Sequence, residues 1–347
     1  MGNYALDFSG IAPSSVEIGT SGVFDQAHPT ISFWAKTDDY TASLNGGMAK
    51  GQVFSSPTAF SYYIGFHNGN LLWKLASATS SQVVTHPIGD NNWHHWVCTY
   101  DGSTTKVYKD GSLANSTETS IEIYYGNSGH ADIFIIGGRP NTTYPFAGLM
   151  DEVLVFNRAI TAAEVGVIYN GGAGLYADTS KAPFDDGLVA GYHFDLGTGT
   201  TAEDITGVND GTISGASWVT GKVIKPMVAD FSGTPLSGLE PLTVQFTDLS
   251  TETPTSWLWD FGDTTSSILQ NPENIYSEGT YTVSLTATND DGSDEEIKTD
   301  YIISRLFVLT HIRRKVILKQ KNKRIQLKLK NKRIQLNKKN KRLSLKL

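Results

Sequence analysis

Apolar and polar positions in the first 158 residues alternate in short runs, the period-2 pattern of strands half-buried in a sheet. Ile31-Ser32-Phe33-Trp34-Ala35 is one such run. Ser61 to His67 and Asn70 to Leu75 flank Asn68-Gly69, which supplies the two positive φ angles of a type I′ turn, so together they predict a hairpin. Asp110-Gly111 repeats the device between Lys106-Val107-Tyr108-Lys109 and Ser112-Leu113-Ala114, and Asp101-Gly102 marks a turn after Trp93 to Tyr100. Val153-Leu154-Val155-Phe156 is apolar on both faces, as an interior strand covered on both sides must be. One helix is predicted. Thr161 and Glu164 have the spacing of a capping box, Val165, Ile168 and Tyr169 share a face, and Asn170-Gly171-Gly172 ends the helix, which is expected to cover the edge or end of a sheet.

A Gly/Ala/Ser/Lys/Pro-containing connector, roughly 171–186, leads into the strand Leu188 to Phe194, then through a Gly/Thr-rich stretch to Trp218 and Lys222-Val223. Lys225-Pro226 reads as a domain boundary. Beyond it Tyr281, Val283, Leu285 and Ala287 alternate with threonine and serine, the clearest half-buried strand in the chain. From Lys321 a nine-residue unit, Lys-Asn-Lys-Arg-Ile-Gln-Leu-Lys-Leu, recurs in three copies to Leu347. The predicted organisation is therefore one domain over 1–225, a second over 226–304, and a basic tail over 305–347.

Composition changes this picture mainly through charge. The net −7 conceals a split: 17 of the 28 Lys and Arg lie in residues 305–347, which hold no Asp or Glu, leaving 11 against 35 acidic residues in 1–304. A body near −24 does not seek phosphates, so nucleic acid is a partner only through the tail. The abrupt, A/T-codon-rich composition of that tail points to low-complexity or out-of-frame sequence without a selected fold; a basic arm binding nucleic acid or an anionic surface is the alternative. Its period-2 apolar positions, Ile325, Leu327 and Leu329, also give it the pattern of an aggregating strand. The single cysteine, Cys98, cannot form an internal disulfide and reads as a small core residue. There is no run of about 18 apolar residues and no signal-peptide pattern after Met1. The expected setting is extracellular or a virion surface, reached as part of a longer secreted protein or by release on lysis.

Four passages together resemble the laminin-G-like, concanavalin A-like family of jelly-roll lectin modules: Ile31 to Lys36, Asn92 to Gly102, Val107 to Gly111 and Phe146 to Ile160, the last reading FAGLMDEVLVFNRAI. Residues 227–304 resemble the polycystic-kidney-disease (PKD) type of immunoglobulin-like sandwich through Trp259-Asp260-Phe261-Gly262-Asp263, then Asn271-Pro272, Tyr276, Gly279 and Tyr281. The resemblances imply an all-β chain: a concanavalin A-like jelly roll followed by a small immunoglobulin-like β-sandwich. Gly187 to Asp195, Asn209 to Thr212 and Trp218 to Val223 look like the lectin family's first strands, yet they come last. Either they complete the first domain by circular permutation or they open a truncated second one; permutation is favoured, because otherwise the first domain lacks an edge. Within the PKD resemblance Trp259 and Phe261 are expected in the core, Gly262 at a turn, and Asp260 and Asp263 as loop hydrogen-bonders.

Catalysis by a sandwich of this kind needs two carboxyls flanking a sugar bond. Asp151-Glu152 is the candidate, but neighbours on a regular strand point to opposite faces, and His94 and His95 have no matching nucleophile, so no catalytic residue is expected. The resemblance instead implies a structural Ca²⁺ where first and last strands meet, on Asp151 and Asp195 with Asn209 and Asp210 as helpers. The competing reading has Asp151 and Glu152 pairing with Arg158 or capping a turn. Exposed aromatic platforms for a glycan are available in Tyr62, Tyr63, Trp73, Tyr124, Tyr125 and Tyr144. The expected function is non-catalytic binding of a glycan or cell-surface polysaccharide by an adhesion protein of a phage virion or bacterial exterior. The alternative is a decoration component of an assembly that makes only protein contacts.

Overall fold

The computed structural model describes residues 3–306 apart from 12, 20–21, 42–44, 52–60, 124, 126–132, 139–144 and 290, together with the backbone of four short strands within 319–344. The first domain comprises β1 (Tyr4–Ser9), β2 (Ser15–Ile18), β3 (Thr30–Thr37), β4 (Asn45–Lys50), β5 (Tyr62–His67), β6 (Asn70–Ala76), β7 (Ser81–Pro87), β8 (His94–Tyr100), β9 (Thr104–Lys109), β10 (Ser112–Glu118), β11 (Phe134–Ile136), β12 (Ala147–Phe156), helix α1 (Ala162–Tyr169), β13 (Leu188–Tyr192), β14 (Thr201–Ala202), β15 (Gly211–Ser214) and β16 (Ser217–Thr220). They build two sheets. One runs β10-β9-β8-β3-β12-β1-β16 with β13 also on β12, the other β14-β15-β2-β11-β4-β5-β6-β7.

The predicted turns form as their residues dictate. Asn68 and Gly69 have φ of 46° and 78°, and Asp110 and Gly111 of 49° and 77°, so both hairpins close through left-handed residues. Between the sheets lies one core containing Phe8, Phe33, Tyr62, Trp73, Trp96, Phe134 and Cys98, all buried. Each such large side chain stabilises the fold by roughly 1.5–3 kcal/mol relative to exposure. Both faces of Val153–Phe156 are indeed covered. Val153 and Val155 join the inter-sheet core, while Leu154 and Phe156 pack on the outer side with Val165 and Ile168 of α1. The helix therefore covers a sheet face, at its central strand β12, and not an edge or end. Its capping box is complete: Thr161 Oγ1 accepts from Glu164 N at 3.2 Å and Glu164 Oε2 accepts from Thr161 N at 2.6 Å. Arg158 binds the same Glu164 carboxylate, at 2.6 and 3.2 Å, so the pairing expected between Arg158 and the Asp151-Glu152 carboxyls does not form.

Residues 187–223 are built into this sandwich. β13 pairs with the second half of β12 (Val153↔Tyr192, Val155↔Ala190), β15 with β2 (Ile213↔Val16), and β16 with β1 (Leu6↔Trp218).

The second domain comprises β17 (Phe231–Thr234), β18 (Ser237–Leu239), β19 (Leu242–Asp248), β20 (Ser256–Asp260), β21 (Ser266–Ser267), β22 (Glu273–Tyr276), β23 (Gly279–Asn289) and β24 (Gly292–Arg305). Their sheets run β17-β19-β22 and β18-β24-β23-β20-β21. Trp259 is buried against Phe231 and Phe246, with ring centroids 5.2 and 5.4 Å away, and its indole N–H donates to Leu269 O at 2.8 Å. Gly262 turns at φ 73°, where a Cβ would lie 2.2 Å from Thr282 O. Asp260 accepts from Gly262 N, and Asp263 from Thr265 N and Asn274 Nδ2, so both aspartates bind the loop as their spacing predicts. In the tail the backbone of β25 (Lys319–Lys321), β26 (Arg324–Leu329), β27 (Lys332–Leu336) and β28 (Leu343–Ser344) pairs antiparallel, with Leu327 opposite Ile334. Among the described residues no helix is long and apolar enough to cross a membrane.

Candidate functional site

Two of the first domain's buried carboxyls, Asp151 and Glu152, lie side by side on β12. Along one edge of this strand β1 pairs with Ala147 to Met150, and β13 pairs with Val153 to Phe156. Asp151 and Glu152 fall in the gap. The register against β3 also shifts between Asp151 and Leu154, and Glu152 takes a φ of 47°. Regular alternation is broken by this bulge. The two carboxyls, expected on opposite faces, are in consequence both buried, at 0% and 3% exposure, and close enough to repel.

Asp151 fills the gap as a backbone clamp. Its Oδ1 accepts from Glu152 N at 2.9 Å, and its Oδ2 accepts from Lys222 N at 2.6 Å and Val223 N at 2.9 Å, which anchors the returning end of the domain. Burial pushes its carboxyl well up, and the charges of Glu152 and Asp195 add to that. Glu152 Oε1 bonds His193 Nδ1, while Oε2 has no donor. Asp195 Oδ1 accepts from Tyr4 N at 3.2 Å, Oδ2 is sealed from solvent, and the Tyr176 hydroxyl also engages the carboxylate. Burial raises Asp195 to about 6 against the pull of the Tyr4 N–H. For His193 burial acts to lower the pKa, but the adjoining Glu152 carboxylate outweighs it and holds the imidazole above its ordinary value.

Of the four residues predicted to hold calcium, Asp151 and Asp195 come together. Asn209 and Asp210 do not join them, because Asp204 claims both. Asn209 donates from its N and Nδ2 to Asp204 Oδ2, its own carbonyl takes the Tyr192 hydroxyl, and Asp210 Oδ1 accepts from Asp204 N. Among the described residues no three His, Cys, Asp or Glu side chains are grouped as a metal would need. Glu152 Oε2 and Asp195 Oδ2 are the carboxylate oxygens of this cluster left without a hydrogen bond of ordinary geometry, and both are sealed from solvent.

The histidines of β8 are structural. His94 lies between Asp110 Oδ2 at 2.8 Å and Asp90 Oδ1 at 3.0 Å. His95 meets Ser32 Oγ at 2.9 Å and stacks near Trp34 and Tyr169. This serine partner was not visible in the sequence, yet both members are buried, and burial lowers His95 to about 3, so no substrate reaches a base there.

The aromatic platforms fare differently from expectation. Tyr62 and Trp73 belong to the core. Tyr63 is buried with its ring laid over Gly65, where a Cβ would fall 2.1 Å from the phenol oxygen. Tyr125 is tied to Gln26 O at 2.7 Å, and Tyr124 and Tyr144 lie outside the described residues. The aromatic group that does border open space is another one. Tyr176 and His193 stack at 3.8 Å and 15°, and with Trp218 they wall a recess of about 120 Å³ into which Asp195 and Glu203 also face. Tyr176 sits in the segment that the sequence presented only as a connector, and its hydroxyl pKa is raised by burial and by Asp195.

Residues 12–166 match the family model of the concanavalin A-like lectin/glucanases superfamily, and residues 226–303 match that of the PKD domain. No curated protein matches the chain. Among solved structures, a candidate carbohydrate-binding protein from Bacteroides ovatus ATCC 8483 is 22% identical, over 65% of this chain and 61% of its own, with a TM-score of 0.49. The chain therefore spans less than two thirds of that protein's length. The PKD1 domain of the Vibrio cholerae metalloprotease PrtV is 32% identical, over 23% of this chain and 99% of its own, with a TM-score of 0.20. The CBM40 of Ruminococcus gnavus IT-sialidase, bound to α2,3-sialyllactose, is 15% identical, over 46% and 96%, with a TM-score of 0.37. The chain thus carries a domain of the concanavalin A-like lectin/glucanase superfamily followed by a PKD domain.

Proposed function

We propose that this chain is a non-catalytic carbohydrate-binding protein, an adhesion component of a bacterial exterior or phage virion. The observation that carries the reading is a lectin-family sandwich whose adjacent acidic pair is sealed in the fold. Glycoside hydrolysis needs two carboxyls that reach opposite sides of the sugar bond. Asp151 spends both oxygens on backbone N–H groups, and Glu152 is held against His193 beneath the surface. The sealed pair supports reading the domain as one that binds sugar without cleaving it.

A second reading, a decoration component making protein contacts only, draws on the exposed apolar side chains of the second domain, Leu258, Ile268, Leu269, Ile275 and Ile297. A glycan array probed with the full chain, followed by calorimetric titration of the hits, separates the two. Saturable binding of one glycan class is expected. Uniform silence across neutral, amino and acidic glycans, with and without Ca²⁺, would leave the protein-contact reading standing alone.

A further inference from the structure

The recess bordered by Tyr176, His193 and Trp218 has a chemical bias. The Trp218 indole is fixed by its N–H donating to Gly199 O at 3.0 Å, so it presents a set orientation, and the Tyr176–His193 stack forms a second aromatic wall. Of three carboxylates bordering the space, Asp204 is spent on the N–H groups of Gly191, Thr206 and Asn209 and on the Thr206 hydroxyl. Asp195 is only 8% exposed, with its Oδ2 sealed from solvent and its carboxylate engaged by the Tyr176 hydroxyl, whereas Glu203 is exposed. Among the described residues no Lys or Arg lines the space, and its one basic group is His193.

The exposed Glu203 carboxylate is therefore the acceptor that the recess offers a ligand, with the charge of Asp195 beside it. A ligand must bring donors, hydroxyl or ammonium groups, together with a C–H face to lie on aromatic walls. An anionic group would meet the Glu203 and Asp195 carboxylates, and the one cationic group at the wall, the His193 imidazole, is already paired with Glu152. At about 120 Å³ the recess is far smaller than the roughly 300–1,000 Å³ of drug-sized sites, so it holds one residue and not a chain. We propose that this recess binds a single neutral or amino-bearing sugar residue and discriminates against sialic, uronic and sulfated sugars. The proposal rests on the carbohydrate-binding reading and assigns it a site and a class of ligand.

The test uses the full chain on an array of neutral, amino, sialylated and uronic-acid glycans. Calorimetric titrations follow with the methyl glycosides of glucose, galactose, N-acetylglucosamine and glucosamine, each in Ca²⁺ and in chelator. The expected result is binding of neutral or amino glycans in both buffers. Trp218→Ala and Glu203→Gln should each weaken it tenfold or more, Glu203→Gln leaving the melting temperature within a few degrees and Trp218→Ala lowering it through lost core packing, and Glu203→Lys should relieve the rejection of acidic glycans. Glycan binding that neither Trp218→Ala nor Glu203→Gln disturbs would place the site elsewhere, overturning this proposal but not the general reading. Preference for acidic sugars, or binding found only with Ca²⁺, would overturn direct recognition by the carboxylates. Silence toward every glycan would overturn both.

Discussion

Asp151 is a carboxylate whose value lies in three backbone donors. Asp151→Ala leaves the buried N–H groups of Glu152 and Val223 and the part-buried N–H of Lys222 without their acceptor, at about 1–3 kcal/mol for each buried donor, offset in part by relief of the repulsion from Glu152 and Asp195, so a net loss of roughly 2 kcal/mol is expected. Chemical denaturation of the full chain measures it, and a loss under about 1 kcal/mol would show that the clamp is dispensable. His95 makes the complementary case for pH. Folded, it accepts a proton only near pH 3, whereas an unfolded imidazole does so near 6.5. Between those values the unfolded chain binds more protons, so the stability His95 contributes is complete above about 6.5 and declines as pH falls toward 3. His95→Gln should lower stability at pH 7 and flatten its decline over that window, read as the difference between variant and parent in melting temperature from pH 7 to pH 4. Parallel curves would reject the assignment.

At the scale of elements, what could be read in the sequence was what is local. The α1 start was legible because Thr161 and Glu164 satisfy one another within a single turn, and the β5–β6 and β9–β10 hairpins because Asn68-Gly69 and Asp110-Gly111 carry their own backbone preferences. Thr161→Ala removes the cap and is expected to cost about 1 kcal/mol, a few degrees in the unfolding of the first domain. An unchanged melting temperature would mean that packing of Val165 and Ile168 alone holds the helix. The bulge of β12 was not legible. Nothing in Leu149-Met150-Asp151-Glu152-Val153 departs from a regular strand, and the break exists because β1 and β13 share one edge of β12 while residues 222–223 return to Asp151 from some 70 positions away. The aromatic recess escaped for the same reason, since Tyr176, His193 and Trp218 meet only after folding and none lies in a periodic motif.

Across the whole molecule, the two-domain plan followed from motifs that carry a physical reason, such as the buried Trp259 and the turn at Gly262. The charge split sets the last expectation. The last strand of the second domain, β24, ends at Arg305, and among the described residues no sheet of either domain includes a strand from the tail. Removing residues 307–347 should therefore leave the melting of both domains unchanged, while the net charge becomes strongly negative through loss of 16 of the 28 Lys and Arg. Retention on heparin or duplex DNA at low salt, if the full chain shows it, then belongs to the tail and must vanish both in the truncated chain and on raising salt, because each phosphate contact releases counterions. Retention that survives truncation would put an anion-binding surface on the acidic body and contradict the distribution of charge from which the tail's separateness was argued. A melting temperature that drops on truncation would instead show that β25 to β28 support one of the sandwiches, giving the nine-residue repeat a structural role.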